Sequence, residues 1–155
     1  MCGICGILDW SNRPVDAERL VGMRDLMRTR GPDDAGVHIE PGVGLGHRRL
    51  SIIDLSPAGH QPMHNEDGTV WIVYNGEVYD FQDLRRDLEG RGHRFHSHTD
   101  TEVLVHGYEA WGLEGLARRI DGMFAAAIWD RRQRRLHLLR DRVGKKPLYY
   151  RFVAG

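Results

Sequence analysis

Residues 1–10 read MCGICGILDW, and the cysteine directly behind the initiator methionine decides how the rest of the chain is read. Methionine aminopeptidases remove Met1 when the next side chain is small, so a mature chain would begin at Cys2. One residue would then carry both a thiol and a free α-amino group. A thiol attacking an amide needs a base, and an α-amine with a pKa of about 7.7–8.0 is a competent one on the same Cα. The competing roles are weaker. A thioredoxin-type C-x-x-C follows a strand and opens a helix, and no strand precedes Cys2 and Cys5. Zinc needs four ligands, or three and a water, and the chain has only these two cysteines. His93, His96 and His98 in HRFHSH could supply imidazoles, with His96 and His98 on one face of a strand. Solvent-exposed strand histidines are the commoner case, and no metal is expected.

Working outward, 155 residues suit one domain with a sizeable core. Lysine plus arginine and aspartate plus glutamate both number 22, so no net field draws the chain to nucleic acid or an anionic membrane. No apolar run approaches the ~20 residues that span a bilayer, and no signal peptide opens the chain. The expected compartment is the cytoplasm, with reduced thiols. No nucleotide-binding glycine motif is present. The arginines of RRQRR (131–135) read as a solvated hairpin tip rather than a phosphate site.

Asp16 as N-cap and Val15, Leu20, Met23, Leu26 and Met27 predict an amphipathic helix stopped by Gly31-Pro32. GVHIE and VGLGHRRL, joined at Pro41-Gly42, predict paired strands. A long loop, DLSPAGHQPMHNEDG, follows. TVWIVYNGE predicts a strand ending in a turn at Asn75-Gly76. Phe81, Leu84 and Leu88 predict a helix ended by Gly92. Thr99-x-x-Glu102 has the form of a capping box opening a helix through Val103, Leu104, Tyr108 and Trp111. GMFAAAIWD and LHLLRD predict a hairpin, and PLYYRF a last strand running to the chain end. Without βαβ alternation, the order implies an α+β domain of antiparallel sheet with helices on its faces.

Seven segments, MCGICGILD, MRTRGPDDAG, LGHRRLSIIDLSPAGHQPM, VYNGEVYD, SHTDTEVL, DGMFAAAIWD and RDRVGKKPLYY, occur in order from end to end. Together they resemble the glutamine-hydrolysing (type 2 amidotransferase) domain of asparagine synthetases. RGPDD and the RLSIIDLS...QP segment favour that type over the amidotransferases that make glucosamine phosphate or purine precursors. The resemblance implies an N-terminal-nucleophile fold, a four-layer αββα sandwich of antiparallel sheets occupying residues 1–155. It implies Cys2 as nucleophile, with its own amine as base. By the same resemblance Asn75 and Gly76 would form the oxyanion hole, and Arg49 would grip the α-carboxylate of glutamine. The resemblance also implies that backbone groups of Leu50 and Ile53 line the pocket and that Glu77 and Asp100 receive the α-ammonium. Arg48 would face the other way along its strand. Relatives continue beyond the PLYY strand into a synthetase domain that uses ATP and magnesium. The chain is therefore expected to be truncated at its C-terminus, with no cofactor of its own. Its expected partners are glutamine and an ammonia-accepting synthetase domain or subunit, and a homodimer is compatible. The alternative is a module that binds glutamine or a partner without turnover.

Overall fold

β-branched and aromatic runs with glycine-marked turns build two antiparallel sheets. A computed structural model describes residues 1–153. β1 (Gly3–Leu8), β2 (Asp34–Glu40) and β3 (Val43–Arg49) form the first sheet, in the order β1-β3-β2. β4 (Met63–His64), β5 (Val70–Val78), β6 (Gly122–Asp130) and β7 (Arg135–Arg140) form the second, in sequence order. Every residue of β3 is buried, because both of its faces are covered.

One face of β3 meets α1 (Ala17–Asp25). Asp16 caps this helix by accepting from the Arg19 N–H, which satisfies one of the first-turn donors. The helix can come close because β3 presents glycines there: a Cβ on Gly44 would lie 2.9 Å from Val15 and 3.0 Å from Leu20. The other face of β3 meets the second sheet, where Val43, Leu45, Val73, Ala127 and Trp129 make an inter-sheet core. On the far side of the second sheet, Ile72, Tyr74, Val78 and Ile128 pack with Leu104, Val105 and Leu116 of α3 (Asp100–Arg119). α2 (Phe81–Gly90) adds Phe81 and Leu84 to that core. The layering is thus αββα, as the resemblance implies.

His47 on β3 ties the two sheets together through its Nε2, 3.0 Å from the Tyr74 carbonyl. Burial pushes its pKa down to about 4, so at neutral pH it bridges the sheets as a neutral ring. Among the described residues no helix is long and apolar enough to cross a membrane.

Several expectations need correction. α1 ends at Asp25 and not Met27, leaving Leu26 86% exposed, while the Met27 side chain packs where a Cβ on Gly3 would lie. β5 does not turn at Asn75-Gly76. It runs straight through to Val78, pairing Asn75 with Ala125 and Gly76 with Phe124, because ladder pairing with β6 overrides the dipeptide's local turn preference. The capping box does not form. Thr99 is the N-cap without a side-chain bond, and the Glu102 carboxylate turns to the His96 and Ser97 N–H groups, each at 2.8 Å. HRFHSH is loop, so no strand face joins His96 to His98. Residues 147–152, the expected last strand, pair with nothing and form no strand, and 154–155 lie outside the described residues. α3 bends at Gly112, whose φ of 67° breaks the helix and starts a second segment that periodicity alone did not separate.

Candidate active site

Cys2 immediately precedes β1, whose Gly3 pairs with Arg48 of β3. This register brings the thiol against the end of β3, where the Leu50 N–H points at Sγ from 3.4 Å. Ile4 packs into the inter-sheet core, so alternation along β1 turns Cys2 the same way and Cys5 toward α1. Burial raises the Cys5 thiol to about 11. Cys5 is thereby kept as an inert thiol, and the two cysteines have different fates three residues apart.

A pocket of about 130 Å³ opens beside Cys2. It is lined by all of the residues singled out in the sequence: Cys2, Arg49, Leu50, Ile53, Asn75, Gly76, Glu77 and Asp100. Arg49 is buried at the end of β3. Its guanidinium donates to the carbonyl of Ser56 at 2.8 Å and to that of Asp54, which fixes its plane and leaves other N–H donors for a ligand. Gly59 makes this placement possible, since a Cβ there would collide with Nη2 of Arg49. Arg48 points to the opposite face and holds the Gly31 carbonyl at 2.9 Å.

The backbone of β5 supplies the rest of the wall. On the side away from β6, the Tyr74 N–H donates to Gln61 Oε1 at 2.7 Å and the Val78 N–H to Asp100 Oδ2 at 2.9 Å. Antiparallel ladders alternate which N–H groups face a given neighbour. Gly76 shares the parity of Tyr74 and Val78, so its N–H lies between those two and is directed at the same side. A side chain at Gly76 would strike the Met123 carbonyl and Phe124 of β6. Asp100, the first residue of α3, also accepts from the Tyr74 hydroxyl at 2.8 Å. Burial raises its pKa, those hydrogen bonds oppose the rise, and the charge of Glu77 adds to it.

Gln61, Asp54 and Gly59 belong to this architecture, and sequence reasoning gave them no role. Gln61 spans from β5 to the Thr101 hydroxyl, 3.2 Å away. The only local signal was a glutamine and a glycine in a proline-bearing loop. Asp54 accepts from the Ser56 N–H at 2.8 Å and the His98 N–H at 2.9 Å. The bonds to Ser56 and His98 hold its carboxyl down at about 2, below the ordinary 3.8. A depressed acid stabilises the fold above its unfolded pKa, and that contribution disappears as pH falls through the folded value. Asp54→Asn is expected to lower stability at pH 7, with the deficit against wild type shrinking from about pH 4 downward. Urea midpoints across pH check this, and a deficit independent of pH would refute it.

The whole chain, residues 1–155, matches the model of a glutamine amidotransferase domain. The chain belongs to that family. Among curated proteins it is 42% identical over 153 residues to asparagine synthetase [glutamine-hydrolyzing] 3 of Bacillus subtilis, covering 97% of this chain and 25% of the relative. It is 38% identical over 150 residues to asparagine synthetase [glutamine-hydrolyzing] 3 of Arabidopsis thaliana, covering 96% and 25%. The amidotransferase domain thus spans about a quarter of the length of these relatives. A solved glutamine phosphoribosylpyrophosphate amidotransferase from B. subtilis aligns with a TM-score of 0.49 and 21% identity, over 60% of this chain and 22% of that one.

Proposed function

We propose that this domain hydrolyses the side-chain amide of glutamine through Cys2 and supplies ammonia for an asparagine-synthetase-type amidation. The observation that carries the reading is the convergence on one pocket of a thiol facing a backbone donor, a fixed guanidinium and two acids. Arg49 receives the α-carboxylate, where a planar guanidinium can make two parallel charge-assisted bonds. Glu77 and Asp100 receive the α-ammonium, with Asp100 held by Tyr74 and Val78. The γ-amide then lies toward Cys2.

The freed α-amine takes the thiol proton as sulfur attacks the amide carbon. Negative charge develops on the carbonyl oxygen, stabilised by the Asn75 side-chain amide and the Gly76 N–H. The tetrahedral species collapses with proton return to the leaving nitrogen, releasing ammonia and leaving a γ-glutamyl thioester. Water, deprotonated by the same amine, attacks the thioester carbon, and glutamate leaves as the thiol reforms. ATP and magnesium, which would activate the acceptor acid, belong to a synthetase module outside these residues.

Met1 blocks this sequence directly. It acylates the amine of Cys2 and lines the pocket, with Sδ 2.9 Å from the Lys146 Nζ. Removing it frees both the base and space. Glutamate release from glutamine is therefore expected from chains whose intact mass shows loss of Met1. Release should be absent from chains carrying an extra N-terminal residue. Equal rates from both forms would overturn the reading, and glutamine binding by a processed chain that releases no glutamate would establish a silent binding module.

A further inference from the structure

Roughly 9 Å along α3 from Asp100, at the helical rise of about 1.5 Å per residue, lies a cluster the hydrolysis does not use. His106 is 1% exposed, and neither ring nitrogen has a hydrogen-bond partner. A buried polar group left in that state is costly and calls for a physical cause. Its Nδ1 stands 3.5 Å from Glu66 Oε2 in the β4–β5 loop and 3.5 Å from Glu109 Oε2, one turn along α3. His93 Nδ1, from the loop after α2, stands 3.8 Å from Glu66 Oε1. One ligand atom from each of Glu66, His93, His106 and Glu109 lies within 4.8 Å of all the others.

The separations of 3.5, 3.5 and 3.8 Å are too long for good hydrogen bonds and are close to the edges of a coordination tetrahedron, which the remaining pairs, within 4.8 Å, would reach by side-chain rotation. With bonds of about 2.0–2.2 Å to zinc, tetrahedral ligand atoms stand roughly 3.3–3.6 Å apart. The outer groups are arranged as metal ligands require. His106 Nε2 faces Glu102 Oε1 at 3.6 Å, and Glu102 is itself held by the Ser97 hydroxyl at 2.6 Å. Asn65 Nδ2 donates to Glu109 Oε1 at 2.7 Å, and the Arg94 N–H to Glu66 Oε1 at 3.2 Å. A carboxylate behind the imidazole and donors behind the ligating carboxylates fix ring orientation and ligand basicity.

We propose that Glu66, His93, His106 and Glu109 form a structural site for a divalent transition cation of the zinc class. Two neutral imidazoles and two carboxylates suit zinc better than the all-oxygen shells of magnesium and calcium, and they balance its charge. The cation would pin the β4–β5 loop and the 91–99 segment to α3, and that segment ends at the pocket residue Asp100. The competing occupant is a proton. Burial opposes a charged His106, but the nearby carboxylates outweigh it and raise its pKa to about 9, so an imidazolium meets the same need for positive charge.

Elemental analysis of the purified chain after zinc loading and desalting decides between them, together with titration by cobalt(II). A Cys2→Ala version run in parallel excludes the catalytic thiol as a ligand. One equivalent of zinc is expected in both versions. Cobalt should give the intense visible bands of a four-coordinate site without a thiolate charge-transfer band. His93→Gln should weaken zinc binding at least about 100-fold. His93 lies on a loop and is partly exposed, so this change spares the core, and an unchanged circular dichroism spectrum verifies that the variant is folded. Absence of bound zinc and of cobalt bands overturns the proposal in favour of the imidazolium. Binding that survives His93→Gln but is lost in Cys2→Ala assigns the metal to the active thiol and equally overturns it.

Discussion

Cys2→Ala is expected to reduce glutamate release from glutamine by at least about 10⁴-fold, because covalent catalysis has no fallback once the nucleophile is gone. The surrounding donors can still bind the amide and polarise it. However, water would have to attack an unactivated amide with no sulfur to form the thioester. Cys5→Ala is the internal control. Its thiol faces α1 and burial raises it to about 11, so turnover should stay within about twofold of wild type. Initial rates of glutamate release in both variants, with intact mass confirming loss of Met1, measure the contrast. A Cys2→Ala rate within tenfold of wild type would place the chemistry elsewhere, and an equal loss in Cys5→Ala would implicate the fold rather than the nucleophile.

Such different fates for two cysteines show which parts of the molecule the sequence could disclose. Order and type of most elements followed from periodicity and punctuation, as in the Asp16-capped α1 and the strands around Pro41-Gly42. The failures share one cause: a local signal overruled by a distant partner. Asn75-Gly76 prefers a turn in isolation, yet β6 pairs with it and keeps it in a strand. Thr99-x-x-Glu102 spells a capping box, yet Ser97 and His96 capture the glutamate first. PLYYRF has strand composition, but without a neighbouring strand its backbone makes no ladder, and Tyr149, Tyr150 and Phe152 stand exposed. The pocket residues were found through motifs. Their supports were not, because the Gly59 contact with Arg49 and the Gln61 bridge from β5 to Thr101 exist only after the long loop has folded back. The His106 cluster joins three separate segments of the chain, and of its members the sequence singled out only His93, grouped there with His96 and His98 rather than with these partners.

The second large effect separates the two ends of the bound amino acid. Asn75→Ala removes one of two donors to the developing oxyanion, an interaction that strengthens only as charge moves onto oxygen. The expected result is a fall in kcat of about 10²–10³-fold with KM nearly unchanged. Arg49→Ala removes a grip made equally in ground and transition states, so it should raise KM by about 10²-fold or more, corresponding to roughly 3 kcal/mol of charge-assisted hydrogen bonding, and leave kcat close to wild type. Strand geometry makes the Asn75 test clean. Its backbone stays paired with Ala125 whatever the side chain, so alanine deletes the amide without moving the adjacent Gly76 N–H. Saturation curves for glutamate release by the two variants measure the split. If Asn75→Ala raised KM and Arg49→Ala lowered kcat, the substrate would lie reversed in the pocket, with its γ-amide at Arg49 and out of reach of Cys2. Losses confined to the predicted parameters require the carboxylate at the end of β3 and the reacting carbonyl between β5 and the thiol.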